Sequence, residues 1–321
     1  MKKPLLVHYY ITSKCNAKCE FCDIWKADGG KNAKIEDVLP NLAAARKLGA
    51  KFVDFTGGEP LLNPNLPQFL ESAKKLGFIT SVTTNAILFE KYANKLSAKI
   101  DLLHFSIDGT RETHDKIRGV KSFDKVIAAI PTAIENKLYP DLLFTYTDEN
   151  IDCVSEVYEI ARKNKLVLIL DPVFSTNGEN LISDETNKKA KFFAKRCGVY
   201  LNSAHLKLRK KGGNDVKNPV CKAVESTLVI LPDNSLALPC FHKRKKTLEI
   251  GKNLESVRKS DEVNNFANLQ GKLDVCKNCQ INCYMDPSYQ YSKNSLFFAS
   301  TASKLKYSFL KYLVYKRKLP F

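Results

Sequence analysis

An α/β protein, built as a (βα)6 partial barrel with a small cysteine-rich C-terminal domain and a basic helical tail, is what this sequence predicts. Three observations carry that expectation. Short apolar, β-prone runs alternate with longer segments of helical period from residue 5 to about 175; the alternation then stops; and a second group of cysteines begins at Cys221. With 321 residues, 44% of them hydrophobic, the chain can bury one large core and a smaller one.

The six expected strands are Leu5 to Thr12, Lys51 to Thr56, Ile79 to Thr84, Leu102 to Ile107, Leu142 to Thr147 and Leu166 to Val173. Between them, helical periodicity covers Ile35 to Leu48, Leu66 to Leu76, Lys91 to Leu96, Phe123 to Asn136 and Val154 to Asn164, and Gly49 and Gly77 follow two of these as helix C-termini require. Right-handed crossovers turn such an array into a curved sheet, whose active face lies at the strand C-termini by analogy with complete barrels.

Beyond the sixth strand, Glu185 to Cys197 reads as a helix and the basic, Gly-paired stretch Leu206 to Lys217 as a linker. Ser226 to Leu231 and Ser235 to Leu238 read as a hairpin turned at Pro232-Asp233-Asn234, with Cys221 before it and Cys240 at its end. The remainder carries little strand or helix signal before the tail. The domains expected are therefore 1–214, 215–290 and 291–321, with no internal repeat.

The N-terminus lacks a signal-peptide pattern and no apolar run approaches a bilayer's width, which reads as cytoplasmic. Ten cysteines in that setting point to metal rather than to disulfides. A net charge of +17, from 51 basic and 34 acidic residues, suits an anionic partner: an acidic peptide, a phosphorylated metabolite or a lipid headgroup. Nothing in the chain matches a nucleic-acid-binding module, so no nucleic acid is expected.

The chemistry concentrates at Cys15-Asn16-Ala17-Lys18-Cys19-Glu20-Phe21-Cys22, three thiols spaced C-x3-C-x2-C in the loop after the first strand. Three thiolates hold three irons of a 4Fe-4S cube and leave the fourth open to an external amine and carboxylate. A zinc knuckle would instead want four ligands in local hairpins.

With Phe21 before the last cysteine and Asp23-Ile24-Trp25 after it, the loop resembles that of the radical S-adenosylmethionine superfamily, in which this spacing holds the cluster that reduces S-adenosylmethionine. The resemblance implies that Glu59, in Gly57-Gly58-Glu59-Pro60, receives the cofactor's ammonium group, the glycines letting backbone approach the ligand. It also implies that Asn85, Ser106 and Asp108 lie near the ribose or methionyl moiety, and that Arg118 meets a carboxylate. Thr147 and Asn150 are weaker candidates.

The second group, Cys221, Cys240, Cys276, Cys279 and Cys283, resembles the superfamily's C-terminal extension called Twitch when it carries one auxiliary 4Fe-4S cluster and SPASM when it carries two. Five cysteines are too few for two fully ligated clusters, so one is expected, with Cys283 either extra or replacing one of the other four. Spacing alone leaves a four-cysteine zinc site open. Cys153 and Cys197 read as ordinary buried cysteines in helical patterns.

What the resemblance implies is a radical oxidoreductase or modifying enzyme. A flavodoxin or ferredoxin supplies an electron, S-adenosylmethionine is cleaved to methionine and a 5'-deoxyadenosyl radical, and hydrogen is abstracted from a peptide, an enzyme or a small molecule. The rival is a non-catalytic zinc-binding protein whose basic surface binds nucleic acid. In the tail, Leu305, Phe309, Tyr312 and Leu313 recur at helical spacing beside Lys304, Lys306, Lys311, Lys316, Arg317 and Lys318. That pattern suits either a helix docked on the barrel or one lying on an anionic membrane surface.

Overall fold

A computed structural model describes residues 1–26, 30–175, 179 and 181–320. Its strands are β1 (Leu6–Thr12), β2 (Phe52–Gly57), β3 (Ile79–Thr84), β4 (Leu102–Ser106), β5 (Asp141–Tyr146), β6 (Leu168–Pro172), β7 (Val199–Leu201), β8 (Thr227–Ile230), β9 (Ser235–Leu238) and β10 (Lys246–Glu249). All join one sheet in the order β10-β9-β8-β1-β2-β3-β4-β5-β6-β7. Pairing is parallel from β8 through to β7 and antiparallel between β8, β9 and β10.

The α/β class and the six central strands match the sequence expectation, within two residues at each end. The strand count does not: β7 and β8 extend the parallel run on either side. β8 pairs with β1 in register Leu6↔Thr227 to Tyr9↔Ile230, so the sheet crosses the expected boundary at residue 215 without a break. Leu228, Ile230, Leu236 and Leu238 accordingly lie in the same apolar core as the barrel strands. An open barrel edge exposes unpaired backbone, and the fully buried β8 covers it.

Alternation along each strand divides its side chains. Val7, Tyr9 and Ile11 of β1, with Val53 and Phe55 of β2, pack outward into the main core beneath the helices Ile35–Leu48 and Leu66–Lys75. His8, Tyr10 and Asp54 occupy the opposite, luminal face.

The expected linker is partly the helix Ser203–Lys210, started by Asn202, whose side-chain oxygen accepts from Ala204 N at 3.0 Å. Its apparent solvated charge includes Arg209, which is buried and donates to Asn282 Oδ1 at 2.9 Å and to the carbonyl of Val173 at 3.3 Å. The quiet region before the tail contains helices Leu254–Lys259, Asp261–Leu269 and Asn282–Tyr289. Cys197 is exposed beyond the helix Asp184–Phe193, and Cys153 is half-buried with its sulfur 3.6 Å from Thr113 Oγ1. Cys153 keeps the helical setting expected of it without full burial, whereas Cys197 has neither.

The tail forms the 21-residue helix Ser295–Tyr315, whose first half packs on the helices Ser203–Lys210 and Asn282–Tyr289 and whose second half reaches the N-terminal ends of β4 and β5. Asp141, the buried first residue of β5, accepts from Lys311 Nζ at 2.8 Å and from Tyr307 OH at 2.5 Å, with His104 Nδ1 3.3 Å away. Burial alone would raise this carboxyl, but the Lys311 ammonium and His104 together outweigh it and hold Asp141 below the ordinary carboxylate range. Asp141→Asn, which leaves Lys311 buried without a counter-charge, is expected to cost about 3 to 5 kcal/mol in urea unfolding at neutral pH. A depressed folded-state pKa contributes stability above the unfolded-state value and loses it as pH falls, so the gap from wild type narrows in acid. A loss below about 1 kcal/mol at neutral pH would show that the pair is energetically idle. No helix among the described residues is long and apolar enough to cross a membrane.

Candidate functional site

The C-terminal edge of the strands gathers the loops that the sequence singled out. Cys15, Cys19 and Cys22 lie on the loop leaving β1, closed by a Cys22 N to Cys19 O hydrogen bond of 3.2 Å and by Trp25 Nε1 donating to Cys19 O at 3.3 Å. Burial pushes the Cys15 thiol up to about 11 and also raises Cys22, each further raised by its neighbouring cysteine sulfurs. Thiolates crowded like this need nearby positive charge, which a bound metal group supplies.

The loop is seated on Gly57 and Gly58 rather than standing clear of them. Gly58 N donates to Thr12 O at 2.9 Å and Glu59 N to Lys14 O at 2.8 Å. A Cβ on Gly57 would stand 2.0 Å from Thr12 O, and one on Gly58 would stand 2.0 Å from Lys14 O. The two glycines therefore let the end of β2 approach the cysteine loop, where a ligand's approach was the expectation.

Glu59 is buried with its carboxylate facing the end of β3. Thr84 Oγ1 donates to it at 2.6 Å, Asn85 N at 2.9 Å and Leu61 N at 3.1 Å. Its carboxyl is raised by burial against the pull of these donors. Asn85 also donates its side-chain amide to Asn16 Oδ1 at 2.8 Å, tying β3 to the cysteine loop.

Arg118 is buried, not a surface residue. Its guanidinium meets Asp108 Oδ2 at 2.6 Å, stands 3.7 Å from Cys19 Sγ and lies 5.7 Å from the centre of the Phe21 ring. Burial opposes this charge, while Asp108 and Cys19 hold its pKa above the usual value. Asp108 is committed to this task, because its other oxygen accepts from Thr145 N at 3.2 Å. Asn150 reinforces the turn by donating to Asp108 O at 3.2 Å, and Ser106 is buried at the end of β4 on the same edge. Arg118 belongs to the helix Arg111–Arg118, which lacks the apolar periodicity that would have revealed it.

The second cysteine group separates in space. Cys221, Cys240, Cys276 and Cys279 line one enclosed cavity together with Gly271, Tyr284 and Met285, and Lys243 N lies 3.4 Å from Cys240 Sγ. Burial pushes the Cys221 thiol to about 12 and raises the other three. Among the described residues no three His, Cys, Asp or Glu side chains surround one point closely enough to chelate a single ion. Four thiols in the wall of one cavity, with no carboxylate or imidazole among its lining residues, fit a polynuclear iron-sulfur group, whose ligands stand outside a cube. Cys283 is not in that wall.

Cys283 instead opens the helix Asn282–Tyr289 with its carbonyl 3.2 Å from His8 Nε2. Its thiol is raised by burial first and then by the carboxylates of Asp171 and Asp54. His8 Nδ1 lies 3.1 Å from Asp54 Oδ2, and burial moves Asp171 up to about 6. Above them Tyr10 stacks on Phe241 at 4.1 Å between ring centres, and burial lowers His242 to about 4. The lumen is thus walled by titratable groups that motif reading did not single out. Their signal was present: His8, Asp54 and Asp171 are polar interruptions in strands that a parallel sheet buries on both faces.

Residues 9–161 match the family model described as the radical SAM superfamily. Over 135 residues the chain is 38% identical to a probable GTP 3',8-cyclase of Saccharolobus solfataricus, covering 40% of this chain and 44% of the relative. It is 26% identical over 194 residues to the Fe-coproporphyrin III synthase of Methanosarcina barkeri, covering 57% and 48%. The matches span about half the length of these curated relatives. Among solved structures, the fold is similar to Streptococcus suis SuiB bound to precursor peptide SuiA, with a TM-score of 0.69, 19% identity and coverage of 92% and 76%. It is also similar to anSMEcpe with bound AdoMet and Cp18Cys peptide, with a TM-score of 0.64, 20% identity and coverage of 98% and 100%.

Proposed function

The chain belongs to the radical S-adenosylmethionine superfamily, and on that premise we propose that it cleaves S-adenosylmethionine reductively at the β1 edge and abstracts hydrogen from a substrate held in the barrel lumen. The observation that carries this reading is the convergence of Cys15, Cys19 and Cys22, Glu59, Asn85 and the Arg118–Asp108 pair on one sheet edge, directly above His8, Asp54, Asp171 and Cys283. When bound, a 4Fe-4S cluster and S-adenosylmethionine supply a 5'-deoxyadenosyl radical from one electron, for which a reduced flavodoxin or ferredoxin is a suitable source.

Each residue then has a task set by its environment. The three cysteines would hold the cluster by three of its irons and leave the fourth for the cofactor to bind. Arg118 places positive charge against Cys19 and the cofactor's anionic end, and Asp108 fixes its direction. Glu59 retains acceptor capacity beyond its three donors for an ammonium group, and Asn85 and Ser106 border the same opening. Cys221, Cys240, Cys276 and Cys279 would hold an auxiliary cluster, which would supply an acceptor for the electron left on a substrate radical after hydrogen abstraction. The aromatic group around Tyr10 and Phe241 excludes water between the two regions.

The luminal carboxylates favour a substrate that donates hydrogen bonds. A peptide amide or amine fits Asp54 and Asp171 better than a nucleoside triphosphate does, and the similar folds named above include proteins whose structures hold peptides. The curated relatives named for GTP are matched over 40% to 51% of this chain.

The test is anaerobic reconstitution with iron and sulfide analysis, then dithionite and S-adenosylmethionine with mass spectrometry for 5'-deoxyadenosine. About eight irons per chain are expected in wild type. Cys19→Ala is expected to keep about four of them and to lose 5'-deoxyadenosine entirely. Bound zinc with no cleavage would refute the enzyme reading in favour of a metal-binding protein.

A further inference from the structure

The helix Ser295–Tyr315 is a two-faced element. One face, Leu296, Ala299, Ser300, Ser303, Leu310, Lys311 and Val314, is buried against the barrel, and the Lys311–Asp141 pair fixes its rotation. The opposite face carries Phe298, Leu305, Phe309 and Tyr312 at 66%, 68%, 61% and 57% exposure. Together with Ala302 and Lys316 these residues follow one another at steps of four and three, the spacing that keeps side chains on a single line of a helix. Large apolar residues at this spacing on a fixed helix are not scattered surface exposures.

Two further observations say what covers them. After Asp286 the sequence contains seven lysines and arginines and no aspartate or glutamate. The exposed line is flanked by Lys306 and closed by Lys316, Arg317 and Lys318, so a second copy of the helix would meet it cation against cation. Beside it, Lys306 Nζ donates to Ala194 O at 2.8 Å, which brings up the end of the helix Asp184–Phe193. That end adds Phe192, 61% exposed, and the exposed Lys191, Lys195 and Arg196. The acidic residues of that helix, Asp184 and Glu185, lie at its far end.

We infer that this face binds an anionic phospholipid surface, with Phe298, Leu305, Phe309, Tyr312 and Phe192 entering the headgroup boundary and the surrounding lysines and arginines meeting phosphates. The helix lies parallel to the surface rather than across it. The second half of the helix, which carries Leu305, Phe309 and Tyr312, lies at the N-terminal ends of β4 and β5, so this part of the face leaves the opening at the C-terminal ends of those strands uncovered.

Flotation of the full chain with vesicles tests this. The protein is expected to rise with vesicles of phosphatidylcholine and phosphatidylglycerol, to stay down with phosphatidylcholine alone, and to be released as salt shortens the screening length. Leu305→Ser with Phe309→Ser removes apolar area without touching the docked face, and is expected to lower retention on anionic vesicles by about tenfold or more. Thermal unfolding and 5'-deoxyadenosine formation should be unchanged in that variant, which separates membrane attachment from the catalytic reading. Failure to float with anionic vesicles, or retention unaltered in the variant, would overturn the inference. So would a dimer in sedimentation velocity that the same two substitutions dissolve, since the face would then be covered by a second copy.

Discussion

Gly58→Ala is expected to empty the β1 site of iron while leaving the auxiliary cysteines loaded. The new methyl carbon would fall 2.0 Å from Lys14 O, 2.6 Å from Lys14 C and 3.0 Å from Cys15 Cβ. None of these is the end of a flexible side chain, so the loop must lift, and lifting breaks the Gly58 N to Thr12 O and Glu59 N to Lys14 O hydrogen bonds. Gly58 has no positive φ requirement, and the clash alone sets the outcome. Cys15, a cluster ligand under the proposed function, moves with the loop. Displacements of about 1 Å at a reacting centre cost on the order of a hundredfold in rate, and here a ligand of the cluster itself is displaced. Iron should fall by about four per chain and 5'-deoxyadenosine formation by at least about a hundredfold. Retention of the other four irons distinguishes this from global misfolding, and a variant with full iron and near-normal cleavage would show that the loop is not seated as described.

How much of this was legible in the sequence depends on how local each signal is. The barrel strands β1 to β6 were readable because β-branched and aromatic runs bounded by turns report on themselves. The pairing of β8 with β1 was not, since nothing in Thr227–Ile230 specifies a partner more than two hundred residues earlier. β7 spans only Val199–Leu201, too short for any period to register. The motif loops were readable as motifs, but their contacts were not. Gly57 and Gly58 announced a close approach, and only the fold shows that the approaching group is the Thr12 to Lys14 backbone. Arg118 was readable as a residue that meets a carboxylate, but not that the carboxylate is Asp108 of this chain, because Asp108 comes from another element. His8, Asp54 and Asp171 are the instructive omission. Polar residues in otherwise apolar parallel strands mark a lumen, and that signal carries no motif to draw the eye.

Cys283 is the position where spacing and structure part most clearly, and it yields the second large effect. Cys276, Cys279 and Cys283 follow one another as C-x2-C-x3-C, which by spacing alone makes any of them a ligand. In the fold, Cys276 and Cys279 lie in and just after a short 3-10 turn and face the cavity shared with Cys221 and Cys240, whereas Cys283 begins the next helix and its thiol is raised by Asp171 and Asp54 across the lumen. Cys276→Ala is therefore expected to reduce reconstituted iron from about eight to about four per chain, while Cys283→Ala keeps about eight. Both variants retain the cluster at the β1 edge, so uncoupled 5'-deoxyadenosine formation continues in each. Consumption of a substrate bound beside His8 and Asp54 is expected to be impaired in both, by loss of the auxiliary cluster in one and of a luminal thiol in the other. Equal iron loss in the two variants would place Cys283 among the ligands and require the helix Asn282–Tyr289 to turn its first residues toward the four-cysteine cavity when the cluster binds.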